Sequence, residues 1–331
     1  MFENKKILIT GGTGSLGKAL TKRLLESKVD TIRIFSRNES KQVDMENELS
    51  DSRLRFLIGD VRDRDRLEAA LEDIDIVFHA AALKHVPRIE YNPFEAIKTN
   101  VIGSQNVIDA ALKQNVEKAI CISTDKAASP LNTYGATKLL MEKLFITGNN
   151  FINLERYRTK FLGLRYGNVF GSSGSIIPTF LKQIKNGGKI TVTDTRMTRF
   201  SITMEQALDF ILDCTVTGKQ SEIYIPKLKG YSIELIIETF RDLYEVEIEN
   251  IGLRPGEKFH EVLISKDESP YSWNLGDKFM ITNPSKKDEE VLEAYSGKIE
   301  KNTEIKEYSS EHVEKLTVNE IKELIQKYEN L

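Results

Sequence analysis

An apolar strand that runs into a glycine-rich turn and then an amphipathic helix constrains this sequence more than any other feature. Residues 6–10 include three consecutive apolar side chains, and Leu16, Leu20 and Leu24 follow at helical spacing. Between them lies Thr10-Gly-Gly-Thr-Gly-Ser-Leu-Gly17. A strand, a tight turn and a helix in this order begin a unit of a parallel α/β sheet. The sequence therefore predicts an α/β fold whose first turn can approach a phosphate group.

The alternation of strands and helices continues through the first half of the chain. Five further apolar runs are predicted to be strands: Thr31–Phe35, Leu54–Ile58, Ile74–His79, Lys118–Ser123 and Phe161–Arg165. Short continuous apolar runs are typical of strands that helices cover on both faces. We therefore expect a doubly wound parallel Rossmann sheet with its ligand crevice at the carboxyl ends of the strands.

After about residue 171 the pattern changes to a mixture of helices and short strands, which indicates a smaller α+β lobe. The predicted elements are helices at Ile176–Lys185, Met204–Val216 and Thr317–Tyr328, and strands at Ile190–Thr193 and Glu222–Pro226. We expect residues 1–170 to form the Rossmann domain, with residues 194–225 partly returning to it. Residues 171–331 should mainly form a substrate-binding lobe and a C-terminal helix.

Composition excludes several classes of protein. The 331 residues include 47 Lys and Arg against 50 Asp and Glu, and this net charge of −3 gives no overall field for nucleic acid. No apolar stretch approaches the roughly 20 residues that span a bilayer, so we expect no membrane association. Cys121 lies in an apolar run far from Cys214. We therefore predict a cytoplasmic protein without disulfides or a metal site.

The glycine-rich turn has the composition of a dinucleotide-binding loop. Its glycines permit a tight turn, close approach to a pyrophosphate and close packing of the helix on the strand. The helix N-terminus then faces the anion. A tight turn without a ligand is the alternative. The predicted loop residues are Gly11, Gly12, Thr13, Gly14, Ser15, Leu16 and Gly17.

The ends of the second and third strands suggest which dinucleotide binds. An NAD site usually carries Asp or Glu after the second strand to bind the ribose 2′-hydroxyl. This chain has Ser36-Arg37-Asn38 there, with Lys41 close behind, and these cations suit a 2′-phosphate. We therefore predict NADP, with a solvated basic patch as the alternative. Asp60-Val61 is placed to contact the adenine, and Asp60 is also a candidate N-cap of the next helix.

Polar, reactive side chains follow the fifth strand. Ser123-Thr124-Asp125-Lys126 comes first, and Tyr134 and Lys138 follow one helical turn apart, so that their side chains share a face. A neighbouring ammonium is expected to lower the pKa of the Tyr134 phenol and let it take a proton from an alcohol. Core and surface residues also occur at this spacing, but rarely after such a strand end. We predict that Thr124, Asp125, Lys126, Tyr134 and Lys138 are catalytic.

Further motifs are spread along the chain. They are Ala80-Ala81-Ala-Leu-Lys84-His85-Val-Pro87, Glu90-Tyr-Asn-Pro93, Arg165-Tyr-Gly-Asn168-Val169, Asp194-Thr-Arg-Met-Thr-Arg-Phe200, Arg254-Pro-Gly-Glu-Lys258 and Tyr308-Ser-Ser. Together with the loop and the catalytic cluster, they make the chain resemble the extended short-chain dehydrogenases/reductases from residue 10 to about 308. More narrowly, it resembles the inverting UDP-N-acetylglucosamine 4,6-dehydratases that make pseudaminic acid precursors.

This resemblance implies a role for each catalytic residue. Tyr134, helped by Thr124, would remove the proton of the sugar 4-hydroxyl, Lys126 would remove the C5 proton, and Asp125 would protonate the departing 6-hydroxyl. Retaining dehydratases have Asp-Glu where this chain has Asp125-Lys126, and epimerases lack the pair. A lysine beside an acid in a partly desolvated cleft is expected to be neutral enough to act as a base. Capsule-pathway relatives have Met in place of Tyr134, so Tyr134 favours the pseudaminic branch.

The resemblance also implies ligand contacts outside the catalytic cluster. The cofactor would contact Ala80, Ala81, Lys84, Tyr134, Lys138 and Val169. The UDP-sugar would contact Lys84, Asn168, Ser173, Ile177, Arg199 and Arg254, the two arginines at the diphosphate or uridine. His85 is either a ligand or an interior histidine, and an ion pair with Asp194 or Glu205 is the alternative for Arg199. Relatives usually have Arg at the position of Ser173, so Lys182 or Lys185 is a candidate replacement.

Two other functions use parts of the same site. The resemblance implies a homo-oligomer, a dimer or a hexamer, that acts on a UDP-sugar such as UDP-N-acetylglucosamine. A UDP-sugar 4-epimerase or reductase would use Thr124, Tyr134 and Lys138 but leave Asp125 and Lys126 idle. A non-catalytic NADP-binding scaffold would need none of the five.

Overall fold

The computed structural model describes residues 2–148, 150, 153, 156–172, 175–253 and 256–329. Its strands are β1 Lys6–Thr10, β2 Thr31–Ser36, β3 Leu54–Ile58, β4 Ile76–His79, β5 Lys118–Ile122, β6 Lys160–Leu164, β7 Lys189–Val192, β8 Thr198–Phe200, β9 Glu222–Pro226, β10 Gly230–Ser232, β11 Glu247–Asn250, β12 Val262–Ile264, β13 Ser272–Asn274, β14 Lys278–Thr282, β15 Glu300–Lys301 and β16 Tyr308–Ser309. Its α-helices are α1 Ser15–Leu25, α2 Glu39–Leu49, α3 Arg64–Leu71, α4 Val86–Tyr91, α5 Pro93–Ala96, α6 Gly103–Lys113, α7 Thr133–Thr147, α8 Ile176–Lys185, α9 Met204–Thr217, α10 Ile233–Leu243, α11 Asp288–Ala294 and α12 Val318–Glu329. A π-helix at Ile97–Ile102 joins α5 to α6, and short 3₁₀ helices lie at Asp125–Ala127 and Ser269–Tyr271.

Within the described ranges, ten strands form one sheet in the order β15-β13-β14-β9-β6-β5-β4-β1-β2-β3. The strands from β9 to β3 are all parallel to their neighbours, whereas β14, β13 and β15 extend the sheet in antiparallel fashion. Alternate residues of the parallel strands pack into two hydrophobic cores, one on each face. The predicted doubly wound Rossmann fold is confirmed. The strand order reverses between β1 and β4, which places the ligand crevice at their carboxyl ends.

The strand and helix predictions are confirmed to within one or two residues. The largest displacement is at β4, which begins at Ile76 rather than Ile74 because Asp73 still turns the chain with a φ of 59°. The capping pattern before α12 is also present. The backbone N–H of Glu320 donates to the Thr317 hydroxyl at 3.2 Å, and the Glu320 carboxylate accepts from the Thr317 backbone N–H at 2.7 Å.

A smaller lobe is built from α8, α10, α12 and three two-stranded sheets, β8 with β10, β7 with β11 and β12 with β16. Its core includes an edge-to-face contact between Phe180 and Phe240, and Ile321 and Ile325 attach α12 to it. Among the described residues, no helix is both long enough and apolar enough to cross a lipid bilayer.

The large sheet also includes strands from the C-terminal half of the chain. Helix α9 packs against α1, and β9 continues the parallel sheet. Strands β14, β13 and β15 then extend this sheet in antiparallel fashion. Strand β14 is buried along its whole length and pairs with every residue of β9.

Candidate active site

A cavity of about 640 Å³ lies at the carboxyl ends of the parallel strands. Almost all of the predicted cofactor residues line it: Gly11, Thr13, Gly14, Ser15, Leu16, Gly17, Ser36, Arg37, Asn38, Lys41, Asp60, Val61, Ala80, Ala81, Lys84, Tyr134, Lys138 and Val169. Gly12 is the one predicted cofactor residue that does not line this cavity. A Cβ on Gly17 would lie 2.5 Å from the Gly12 Cα, so Gly12 serves the close packing of α1 on the loop instead.

The glycine-rich loop fits a dinucleotide pyrophosphate. Gly11 has a φ of 67°, and a Cβ there would lie 2.8 Å from the Ala81 backbone. Only glycine combines this conformation with so close an approach. Gly14 is the N-cap of α1, and no described side chain caps that helix, so its first N–H groups are free to face an anion in the cavity.

The ends of β2 and β3 form the far end of this cavity. The Arg37 and Lys41 side chains are exposed there, and Arg37 Nη1 lies 3.7 Å from Asp60 Oδ2. Asp60 accepts hydrogen bonds from the Arg62 side chain. Burial would raise the pKa of this carboxyl, but the bonds from Arg62 outweigh it and lower the pKa. The N-cap of α3 is Asp63, so the expectation that Asp60 caps this helix is wrong: the helix begins three residues later.

The catalytic cluster forms where β5 ends and the chain makes a single 3₁₀ turn. The Thr124 hydroxyl donates to Asp125 Oδ1 at 2.7 Å, and the same oxygen accepts from Lys126 Nζ at 3.0 Å. Lys126 Nζ also donates to Asn168 Oδ1 and to Glu261 Oε1, each at 3.3 Å. The ammonium is therefore held by residues from three separate segments of the chain.

The surroundings of Lys126 correct one expectation. Burial alone would lower the pKa of its ammonium, but the negative charges of Asp125 and Glu261 outweigh burial and raise the pKa above its ordinary value. The resting site therefore contains a charged lysine, not the neutral one expected from the sequence. Asp125 contributes most to this rise, and Glu261, which lies far from Lys126 in sequence, adds to it.

Tyr134 and Lys138 both line the cavity, but they do not interact as expected. Lys138 Nζ donates to the Ile122 carbonyl at 2.6 Å, and burial lowers its pKa to about 8. Burial raises the pKa of Tyr134 to about 12, against opposing effects from the Lys126 charge and a hydrogen bond with Thr124. The expected lowering of the Tyr134 pKa by Lys138 is thus wrong for this arrangement, because the ammonium points to the end of β5.

A second cavity, of about 200 Å³, adjoins the first, and Asn168 lines both. Arg199 lines the second cavity, and its Nη1 donates to the carbonyls of Thr198 and Phe259. Its ion-pair partner is Glu261, with Nε and Oε1 3.7 Å apart. The alternatives considered for Arg199 are wrong, because Asp194 pairs with Arg196 and Glu205 with Lys327.

Two other predicted contacts lie elsewhere, and two fall outside the described residues. Ile177 is buried in the core of the smaller lobe, whereas Ile176 lines the second cavity, because successive helical residues point about 100° apart. His85 is exposed at the start of α4, so its interior alternative is wrong. Ser173 and Arg254 lie outside the described residues.

Sequence reasoning missed three residues of the site. Glu261 follows the Arg254–Lys258 motif by only three residues, so extending that motif would have included it. Ser123 lines the first cavity and Tyr231 the second. Within the described chain, Ser123 Oγ, Asp125 Oδ2 and Glu261 Oε2 are buried atoms without a hydrogen-bond partner. Such atoms are uncommon in folded proteins, and here they cluster at the site.

Residues 7–283 match the family described as "Polysaccharide biosynthesis protein". The chain belongs to this family. Within it, the UDP-N-acetylglucosamine 4,6-dehydratase (inverting) of Campylobacter jejuni serotype O:23/36 is 48% identical over 284 residues, which cover 85% of this chain and 84% of the relative. The UDP-glucose 4-epimerase of Rickettsia conorii is 40% identical over 331 residues, which cover 98% of this chain and 96% of the relative.

The fold of this family member also matches a crystal structure over its whole length. The X-ray structure of Pen from Bacillus thuringiensis superposes with a TM-score of 0.91 and 40% sequence identity, and the match covers 100% of both chains. The arrangement of the large sheet and the smaller lobe is therefore shared with that protein.

Proposed function

We propose that this chain is a UDP-N-acetylglucosamine 4,6-dehydratase that inverts C5 and yields a UDP-2-acetamido-2,6-dideoxy-4-hexulose. The observation that carries the proposal is the Asp125–Lys126 pair, which contacts Asn168 where the two cavities meet. A sugar there would lie between a dinucleotide in the first cavity and its own nucleotide in the second. The similarity to the Campylobacter jejuni enzyme supports this choice over other UDP-sugar chemistry.

The cofactor of the proposed enzyme is NADP. Arg37 and Lys41 are exposed cations at the end of the first cavity, where the second strand of a Rossmann sheet reaches the adenosine ribose. The glycine-rich loop would hold the pyrophosphate, and Tyr134 and Lys138 lie where the nicotinamide ribose is expected. When bound, the nicotinamide accepts hydride from C4 of the sugar and returns it to C6, so the net redox change is nil.

The protein side chains would carry the protons. Tyr134 accepts the proton of the 4-hydroxyl, and Thr124 favours the ionised phenol by a hydrogen bond. The resting ammonium of Lys126 passes one proton to Asp125, its partner at 3.0 Å. The resulting amine removes the C5 proton, and the acid form of Asp125 protonates the 6-hydroxyl, which leaves as water. Lys126 then ends as an ammonium and Asp125 as a carboxylate, as at the start. As C6 regains the hydride, C5 takes a proton from solvent on the opposite face, and Tyr134 releases the 4-hydroxyl proton to solvent, so that the net change is the loss of one water and inversion at C5.

We further propose that the enzyme is cytoplasmic and homo-oligomeric and that its product enters nonulosonate or surface-glycan synthesis. Apolar side chains are exposed on helices of the large domain and on the loop before α7. Tyr91 is 88% exposed and Phe94 61%, and Ile102, Leu131 and Leu140 are also exposed. Exposed apolar patches on folded proteins commonly mark protein interfaces, which supports contact with a second copy of the chain.

The central test is proton NMR of the product formed from UDP-N-acetylglucosamine in heavy water. A C6 methyl signal with deuterium at C5 is expected, and the C5 configuration follows from the ring couplings. Lys126→Ala should abolish the methyl signal, while Lys143→Ala, which removes an exposed lysine of α7, should retain it. Wild-type turnover by Lys126→Ala would overturn the assignment.

A 4-epimerase is the second candidate, because the Rickettsia conorii relative carries that name and matches nearly the whole chain. An epimerase would give UDP-N-acetylgalactosamine or UDP-galactose, neither with a C6 methyl signal. Its turnover would tolerate Lys126→Ala. NADP binding without turnover of any UDP-hexose would instead favour the non-catalytic scaffold.

A further inference from the structure

Glu261 is a buried carboxylate that reaches the catalytic lysine from a distant part of the chain. Only 3% of the residue is exposed. Its Oε1 lies 3.3 Å from Lys126 Nζ and 3.7 Å from Arg199 Nε, and its Oε2 has no hydrogen-bond partner among the described residues. Burying such a charge is unfavourable unless another charge compensates it. The buried charge of Glu261 must therefore be compensated by the positive charge of Lys126 or of Arg199.

The backbone fixes Glu261 in this position. Its N–H donates to the Ser310 hydroxyl at 2.9 Å, and its carbonyl accepts from the Ser310 N–H at 2.8 Å. The Ser310 hydroxyl also exchanges a hydrogen bond with Thr198 at 2.7 Å, next to Arg199 in β8. The carboxylate is thus presented by the smaller lobe, whereas Lys126 belongs to the large sheet.

Charged and titratable groups face Lys126 from every neighbouring element. Asp125 lies on its own 3₁₀ turn and Glu261 just before β12, and these are the two carboxylates. The other groups are Arg199 of β8, Lys258 of the preceding loop, Tyr134 of α7 and Tyr231 of β10. The two carboxylates make the local charge favourable for an ammonium.

None of Asp125, Lys126 and Glu261 is among the described residues that line the two cavities, but Lys126 Nζ contacts Asn168, which lines both. Glu261 contacts Lys126 from a different segment than Asn168 does, so it acts through Lys126 and not on the sugar directly. We propose that Glu261 is a positioning residue that holds the Lys126 side chain at the junction of the two cavities and strengthens it as a base. This inference rests on the proposed dehydratase function and names a residue that serves the same site.

The physical reason is the charge that develops on Lys126 during proton abstraction. As the amine takes the C5 proton it becomes positive, and a fixed carboxylate at 3.3 Å stabilises that charge. The same carboxylate delays loss of the ammonium proton at alkaline pH. Asp125 cannot replace Glu261 in this respect, because it must itself gain and lose a proton in each turnover.

Glu261→Gln is the direct test, because it keeps the shape and the hydrogen-bond acceptor but removes the charge. The alkaline limb of the kcat profile should move to lower pH by about one pH unit or more, and kcat below that limb should fall, with little change in KM. Glu261→Asp should restore part of the wild-type profile. Glu311→Gln, which removes an exposed carboxylate nearby, is the matched control. A uniform loss of kcat without movement of the limb would show a merely structural role and overturn the proposal.

A second readout does not depend on turnover. Acetic anhydride acylates neutral amines, so the labelling rate of Lys126, read by peptide mass spectrometry at pH 9, should rise about tenfold in Glu261→Gln for each unit by which its pKa falls. Lys28, an exposed lysine, should be unaffected. In the unsubstituted protein, labelling of Lys126 should level off at a higher pH than that of a lysine in an unstructured peptide, because Asp125 and Glu261 raise its pKa.

These measurements separate the two hypotheses. A wild-type protein that forms no C6 methyl product would refute the dehydratase function. Lys126 labelling that levels off with that of the unstructured lysine peptide in the wild type, or that is unchanged in Glu261→Gln, would refute the role of Glu261. The wild-type labelling curve therefore tests this role even if the Gln variant does not fold.

Discussion

Replacing Arg165 by Met should destabilise the fold by about 3–5 kcal/mol, because it leaves a buried carboxylate unpaired. Arg165 is fully buried and forms bidentate pairs with Glu142 of α7 and with Glu268. Its Nη1 also donates to the Leu263 carbonyl at 2.8 Å. This one side chain therefore joins the catalytic helix, the end of β6 and the segment after β12.

A double variant tests the cause of this loss. Glu142 is fully buried, and among the described residues its carboxylate accepts hydrogen bonds from Arg165 alone. Replacing both by Met removes the unpaired charge, so Glu142→Met/Arg165→Met should be more stable than Arg165→Met by about 2 kcal/mol or more. Glu268 keeps its hydrogen bonds from Ser265 in both variants.

The pH dependence gives an independent magnitude. Burial would raise the pKa of Glu268, but Arg165 outweighs burial and lowers it from 4.5 to about 2. A carboxyl whose pKa is lowered by folding stabilises the fold at pH values above its pKa in the unfolded chain. This contribution of about 3 kcal/mol is lost as the pH falls from about 5 to about 2. The stability difference between the wild type and Arg165→Met should therefore narrow over this range.

Guanidinium unfolding followed by circular dichroism and by the fluorescence of Trp273, the only tryptophan of the chain, measures these differences. Arg196→Met, which breaks the exposed pair with Asp194, is the control and should change stability little. The reasoning is refuted if Arg165→Met is as stable as this control, or if the double variant is no more stable than the single one.

Three further substitutions address the two cavities. Gly17→Ala places a Cβ 2.5 Å from the Gly12 Cα, so calorimetry should show a loss of about 1–3 kcal/mol in stability and weaker cofactor binding. Tyr134→Phe should reduce turnover by about 10²–10⁴-fold, and unchanged turnover would exclude Tyr134 as the acid/base. Arg37→Ala should lower the preference for NADP over NAD by roughly tenfold or more, whereas Arg55→Ala should not, and equal effects would exclude a 2′-phosphate contact.

Local sequence patterns predicted the first half of the fold well. The parallel strands are buried on both faces, so each is a continuous apolar run, and Gly17 is required by its contact with Gly12 within the same strand–turn–helix unit. The C-terminal strands β13 and β15 were not recognised, because they are only three and two residues long and lie among charged residues. Strand β13 joins the sheet by pairing with β14, and β15 joins it by pairing with β13, which no local pattern reveals.

Local sequence patterns predicted the residues of the candidate active site but not their protonation. Its cavity-lining residues follow strand ends and were predicted from that position. The charge state of Lys126 was not, because Glu261, which lies 135 residues away in sequence, adds to the effect of the neighbouring Asp125. The direction of the Tyr134 pKa likewise depends on burial by several elements. Side-chain type and spacing indicate which groups meet, whereas their protonation depends on the whole fold.

Strand β9 is synthesised well after its partner β6, and this order has a consequence for folding on the ribosome. Strand β6 pairs with β9, which begins about 60 residues further along the chain, so several seconds pass at roughly 5–20 residues per second before this partner emerges. During that interval the nascent chain exposes the backbone groups of β6 to other nascent chains and to chaperones. A lower growth temperature or added chaperone should therefore raise the yield of folded protein. Substitutions near the C-terminal helix α12 should affect this yield less.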